Sequence, residues 1–221
     1  MSKGQPIDEM LKPLSGNPIQ AYLGNGLHTL GLLHWILGQT GKADVWVSSY
    51  STSEPFLNGF VLLKEQGKVG ESMILLDQRA VKKTLKLIVE MKFAFNHVFL
   101  GQNHSKIILV KNKKWNIAVV TSQNQTYGAR AESTIITTDK GVFNVIMQQF
   151  IEIAGKNAVE LQFGFKDEKP FTKFRNSPGA SQFTGFAEYV DHQIEEDNRG
   201  RSGAAGDAAH DTRTDWQPFG V

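Results

Sequence analysis

The chain contains no cysteine. That excludes disulfides, thiolate-bound zinc and thiol nucleophiles, and it suits a reducing compartment. It also has no long apolar run. The most hydrophobic stretch, LHTLGLLHWILG from Leu27 to Gly38, is 12 residues long and holds two histidines and two glycines. A bilayer span needs about 20 apolar residues, so we expect no membrane association. The opening MSKGQPIDEMLKP lacks the apolar core of a secretory leader, and a cytoplasmic location is the expectation. Acids are sparse in the middle: no aspartate falls between Asp77 and Asp139. Without cysteine or clustered carboxylates, a metal site is hard to build there, and we expect no metal and no cofactor.

What is present is enough for a packed domain. Hydrophobic residues make up 40% of 221, which is sufficient to bury a full core. The net charge of +2 hides an asymmetry. Residues 1–155 hold 16 basic against 11 acidic side chains, whereas residues 156–221 hold 8 against 11. A basic body with a mildly acidic tail suits a protein that handles a phosphate polymer, although an ordinary solvated surface explains it as well.

Periodicity and punctuation give the element order. Residues 1–20 read as an irregular lead-in broken by Pro6, Pro13, Gly16 and Pro18. Gly26–Gly38 is predicted helical, and ADVWVSSYS from Ala43 is a buried strand. Ser53 is placed to cap a helix that reaches about Gln66. SMILLD is a second strand, and Arg79–Lys92 has apolar residues at helical spacing. NHVFLG, HSKIILV, NIAVVTS and STIITT follow as four more strands, then GVFNVIMQQFIEIAG as a helix. Alternation first and antiparallel neighbours later predict an α/β fold, a mixed β-sheet flanked by helices. We expect a domain over residues 1–155 with its core at about 22–155, an aromatic-rich extension over 156–189, and a flexible tail over 190–221. The tail ends in DWQPFGV, a candidate docking peptide for a protein partner.

The chemistry gathers in residues 101–126, GQNHSKIILVKNKKWNIAVVTSQNQT. Two apolar runs joined by a lysine-rich turn make a hairpin, which sets the start of one strand beside the end of the other. Side chains alternate faces along a strand, so His104 and Lys106 point the same way, as do Ser122 and Asn124. An ammonium and an amide donate to the non-bridging oxygens of a phosphate, and an imidazole attacks phosphorus or moves a proton. Among the other aromatic and basic side chains, Trp46 and Trp115 read as core. His28 and His34 read as packing or surface residues on a helix. Tyr50, with Ser48 and Ser49 at the end of the first strand, is a candidate for lining the pocket, Gln125, Thr126 and Tyr127 for its rim, and Arg130 for a substrate contact.

HSK, an apolar hairpin and TSQN together resemble the HxK…GSxN signature of the phospholipase D superfamily, with Glu132 opening the next strand where that family often has an acid. The likeness covers about two-thirds of the chain and implies a phospholipase D-like half-domain. It implies catalysis by His104 as nucleophile through a phosphohistidine, with Glu132 orienting the imidazole. Lys106, Ser122 and Asn124 would bind the phosphate. The family needs two such motifs, so a single copy implies a homodimer whose subunits each lend a His104. Two positions depart from the pattern: Lys111 stands where the family has an aspartate, and Thr121 where it has a glycine. The implied activity is a metal-independent phosphodiesterase of nuclease or endonuclease type, acting on DNA or RNA. An inactive nucleic-acid-binding module and a phospholipid-directed phosphodiesterase are the alternatives. Lys111, Lys113 and Lys114 at the hairpin turn, with Arg130, are further candidate contacts to nucleic acid.

Overall fold

The computed structural model describes residues 7–125 and 130–161. The elements are α1 (Ile7–Met10), β1 (Ile19–Gly24), α2 (Thr29–Thr40), β2 (Ala43–Ser49), α3 (Glu54–Glu65) and β3 (Val69–Asp77). After a 3-10 turn at Gln78–Ala80 come α4 (Val81–Lys86), α5 (Ile88–Ala94), β4 (His97–Gly101), β5 (Ile107–Lys111) and β6 (Asn116–Thr121). The described chain closes with β7 (Glu132–Thr137), α6 (Lys140–Asn157) and β8 (Ala158–Glu160).

All eight strands form one mixed sheet in the order β1-β7-β6-β5-β2-β3-β4-β8. The centre, β2-β3-β4, is parallel, as helical crossovers require, and the flanking pairs are antiparallel. The predicted mixed sheet with helices on its faces is therefore the observed architecture. Alternation sends Leu75, Leu109 and Ala118 to one face, where Phe143, Phe150 and Ala154 of α6 cover them. The other face carries Val47, Ile74, Ile108 and Val119, all fully buried, beneath α2, α3 and α5. Phe60 of α3 stacks on Phe95 just after α5 at 4.2 Å between ring centroids, which closes that layer.

Several elements differ from the sequence reading. Residues 19–24, assigned in part to the irregular lead-in, form the edge strand β1 along β7. Residues 158–160, beyond the predicted last helix, form β8 on the opposite edge. The helix predicted to end at Gly38 continues to Thr40 and stops at Gly41, whose φ of 73° only glycine adopts freely. The predicted Arg79–Lys92 helix is broken at Leu87 into α4 and α5. Trp115 lies in the hairpin turn, half-buried, not in a strand core. Ser53 occupies the N-cap position of α3, but its hydroxyl donates to the Gln125 carbonyl (2.7 Å) and makes no cap hydrogen bond.

On the α6 side the outer strands stay partly uncovered. Ile19, Leu23, Val120 and Ile135 are exposed there, with Leu23 at 79%. No described helix is long and apolar enough to cross a membrane. The extension over 156–189 falls almost wholly outside the described residues, and the tail over 190–221 entirely so.

Candidate functional site

The parallel strands β2, β3 and β4 end together at Ser49, Asp77 and Gly101, and β5 starts beside them. The carboxyl ends of parallel strands are where open α/β sheets place ligands. His104 and Lys106 lie in the short segment that leads into β5. Ile107 pairs with Val120, so the end of β6 lies next to them, and the Thr121 amide donates to the Lys106 carbonyl at 3.0 Å. Ser122 follows directly. Its amide donates to the Ser133 carbonyl (3.0 Å), which brings the start of β7 and Glu132 alongside. The register of one hairpin and its neighbour therefore collects His104, Lys106, Ser122, Asn124 and Glu132 at one end of the sheet.

The contacts within this group are specific. Lys106 Nζ lies 3.3 Å from His104 Nδ1 and donates to the His104 carbonyl at 2.7 Å. Burial pushes the Lys106 ammonium below its ordinary pKa of 10.5, while the charges of Glu132 and Asp77 oppose that shift. The Glu132 carboxylate accepts from the Ser122 hydroxyl, which in turn accepts from the Ser133 amide at 3.0 Å. Among the described residues, Glu132 makes no hydrogen bond to His104. The sequence reading paired those two directly; here Lys106 faces the imidazole and Ser122 holds the acid. Asn124 Oδ1 accepts from Ser49 at 3.3 Å. His104 itself is exposed, with the Tyr50 ring 5.4 Å from its own.

Beneath these groups lies a buried polar layer in which the sequence reading singled out Ser48 and Ser49 but missed Asn103 and Asp77. Asn103 donates to the Ser49 and Leu75 carbonyls at 3.1 Å each. Its Oδ1 accepts from the Ser105 amide (3.1 Å) and hydroxyl (2.7 Å) and from Ser48 (3.1 Å). The Asn103 amide donates to Asp77 Oδ2 at 2.8 Å, and Asp77 Oδ1 accepts from the Arg79 amide at 2.7 Å. Asn103, Asp77 and Ser48 are all buried, so the bonds among them and to the Ser49 and Leu75 carbonyls form where water competes little. This layer fixes the backbone on both sides of His104. The only available signal was a run of polar residues at strand ends, and it becomes legible once the strands are in register.

The three lysines of the hairpin turn are not brought to this place. Lys111 is five residues beyond Lys106, about 17 Å at the usual strand rise, and with Lys113 and Lys114 it sits at the opposite end of the sheet. Arg130 is exposed in the bend before β7. Gln125 is buried and, with Gln123, Phe56 and Pro55, lines a cavity of about 310 Å³ beside the site. Thr126 and Tyr127 lie outside the described residues. Among the described residues, no three His, Asp or Glu side chains cluster closely enough to hold a metal ion.

Neither a protein-family model nor a curated protein sequence matches the chain. Solved structures do. Nuc, a phospholipase D family member from Salmonella typhimurium, aligns with a TM-score of 0.50 at 17% identity, over 66% of this chain and 99% of Nuc. The chain shares the fold of Nuc. NucT from Helicobacter pylori aligns at 14% identity with a TM-score of 0.49, over 65% of this chain and 98% of its own. The phospholipase D-like fold accounts for the sheet and for the strand ends that carry the site.

Proposed function

We propose that the protein is a phosphodiesterase of phospholipase D type that cleaves nucleic acid without a metal, through a covalent histidine intermediate. The observation that supports this most is the placement of His104, Lys106, Ser122, Asn124 and Glu132 at one end of the sheet, over a buried layer that holds them there. Lys106 and Asn124 donate to the non-bridging oxygens of the phosphodiester, with help from Ser122. When Lys106 turns to the phosphate it releases His104 Nδ1. Glu132 then accepts a hydrogen bond from Nδ1–H, which holds the tautomer whose Nε2 is unprotonated for attack on phosphorus. A phosphorus–nitrogen bond forms and one phosphorus–oxygen ester bond breaks. The leaving oxygen takes a proton from the His104 of a second copy of the chain. That histidine then deprotonates water, whose oxygen attacks phosphorus and expels the His104 nitrogen.

The reaction needs an acid on the leaving-group side, and the chain has one motif. The reading is therefore a homodimer with its two-fold axis through the site. The exposure of His104 agrees with a site that a second subunit completes.

The test uses labelled single- and double-stranded DNA and RNA with purified protein in EDTA. The expected result is cleavage that His104→Ala abolishes, together with an adduct stable to alkali and lost in acid. Tight binding without cleavage by either form would instead make the protein a binding module. Release of headgroups from phospholipid vesicles, with no nuclease activity, would make it a lipid enzyme. A monomer at micromolar concentration by light scattering would sink the shared site.

A further inference from the structure

At the end of the sheet opposite His104, the hairpin turn and the loop after α2 enclose a groove of about 900 Å³. Lys42, Lys111, Lys113, Lys114 and Trp46 line it, with Asp44 as the one acid. Among the described residues none of the four ammonium groups has an ion-pair partner. Asp44 Oδ1 is already engaged, since it accepts from the Glu71 amide at 2.8 Å. The groove therefore carries a local excess of three positive charges.

The groove is also built. Asn112 donates to the carbonyls of Thr40 (3.0 Å) and Lys42 (3.2 Å), and its Oδ1 accepts from the amides of Lys114 and Trp115 at 2.9 Å each. One side chain thus staples the two loops that carry the lysines, so the charges share a concavity of fixed shape. Trp46 is half-buried against α6 and shows the groove its remaining surface. Ammonium groups recognise phosphates, and an indole offers a surface on which an unstacked base can lie.

The geometry points to a second binding site, for a single-stranded polynucleotide, with phosphates on Lys42, Lys111, Lys113 and Lys114 and a base on Trp46. A duplex keeps its bases stacked and would leave the indole unused. Lys111, which stands where the family has an acid, supplies part of this groove's charge. The site does not depend on the nuclease reading, because binding is measurable without cleavage.

The test is fluorescence anisotropy with the full-length chain carrying His104→Ala, so that no probe is cut. The probes are fluorescein-labelled dT15 and an abasic strand of equal length. Combined Lys111→Glu, Lys113→Glu and Lys114→Glu should weaken dT15 binding at least about tenfold. The same change should make the log–log salt slope shallower by about 2, at roughly 0.7 for each phosphate no longer neutralised. The parent should bind dT15 about fivefold or more tighter than the abasic strand, and the triple variant should lose that preference. Unchanged affinity and slope in the triple variant would overturn the site. Equal binding of the two probes by the parent would overturn the base on Trp46. A failure here leaves the cleavage assay untouched, and absence of cleavage leaves this measurement intact.

Discussion

The two ends of β5 are each organised by one asparagine, in opposite ways. Asn103, just before the strand, is buried and bonds to β2, β3 and its own loop beneath His104. Asn112, just after it, is half-buried and ties the hairpin turn to the loop after α2. The first sits in a layer of polar groups shielded from water, where each unmade bond carries a full desolvation cost. The second has water at hand to replace what it loses. The proposed reaction needs its imidazole and ammonium in fixed positions, and the buried layer ties down the backbone on both sides of His104. A charged groove needs only a shape, and one half-exposed staple is enough for that.

The largest expected effect separates chemistry from scaffold at the His104 end. His104→Ala should lower phosphodiester cleavage by on the order of a thousandfold or more, measured by single-turnover assay, with an unchanged melting curve because the ring is exposed. A comparable loss of stability would mean that the histidine is structural. Next, Asn103→Ala should cost about 2–3 kcal/mol in urea denaturation, since it strands several buried partners. Asn112→Ala should cost about 1 kcal/mol by the same measurement. Equal losses at both positions would erase the contrast between the two ends.

The smallest effect is one of pH. In the proposed mechanism Lys106 holds phosphate only as an ammonium, and burial lowers its pKa, so the alkaline limb of activity should fall below 10.5. The Glu132 charge opposes that lowering. Glu132→Gln should therefore move the limb to still lower pH, as a pH–rate profile would show. A limb that stays in place would mean that Lys106 does not sense the Glu132 charge.

Most of the sheet was legible because its central strands are apolar on both faces and bounded by clear turns. The edges were not. In β1 the apolar residues Ile19, Ala21 and Leu23 alternate correctly, but proline and glycine nearby outweigh so short a signal, and all three face outward. In β8, three residues gain their structure from β4 alone. His97 pairs with Glu160 at 2.7 Å across 63 positions, a partner that no local pattern in the sequence indicates. The hairpin patch was legible because alternation and a single turn bring its members together. The link from Asn103 to Asp77 and Ser48 was not, because it depends on which strands lie next to one another. Ser53 shows the same limit: its position predicts a cap, yet tertiary structure spends the hydroxyl on the loop after Asn124.

The pairing of β1 with β7 joins residues 19–24 to residues 132–137. During synthesis the first strand of the sheet therefore leaves the ribosome with its partner still roughly 110 residues from being made. At about 5–20 residues per second that is on the order of 5 to 20 seconds. Throughout that interval Ile19 and Leu23 belong to a strand with no ladder. Of the described strands, β1 is thus the one that waits longest in the nascent chain for its partner.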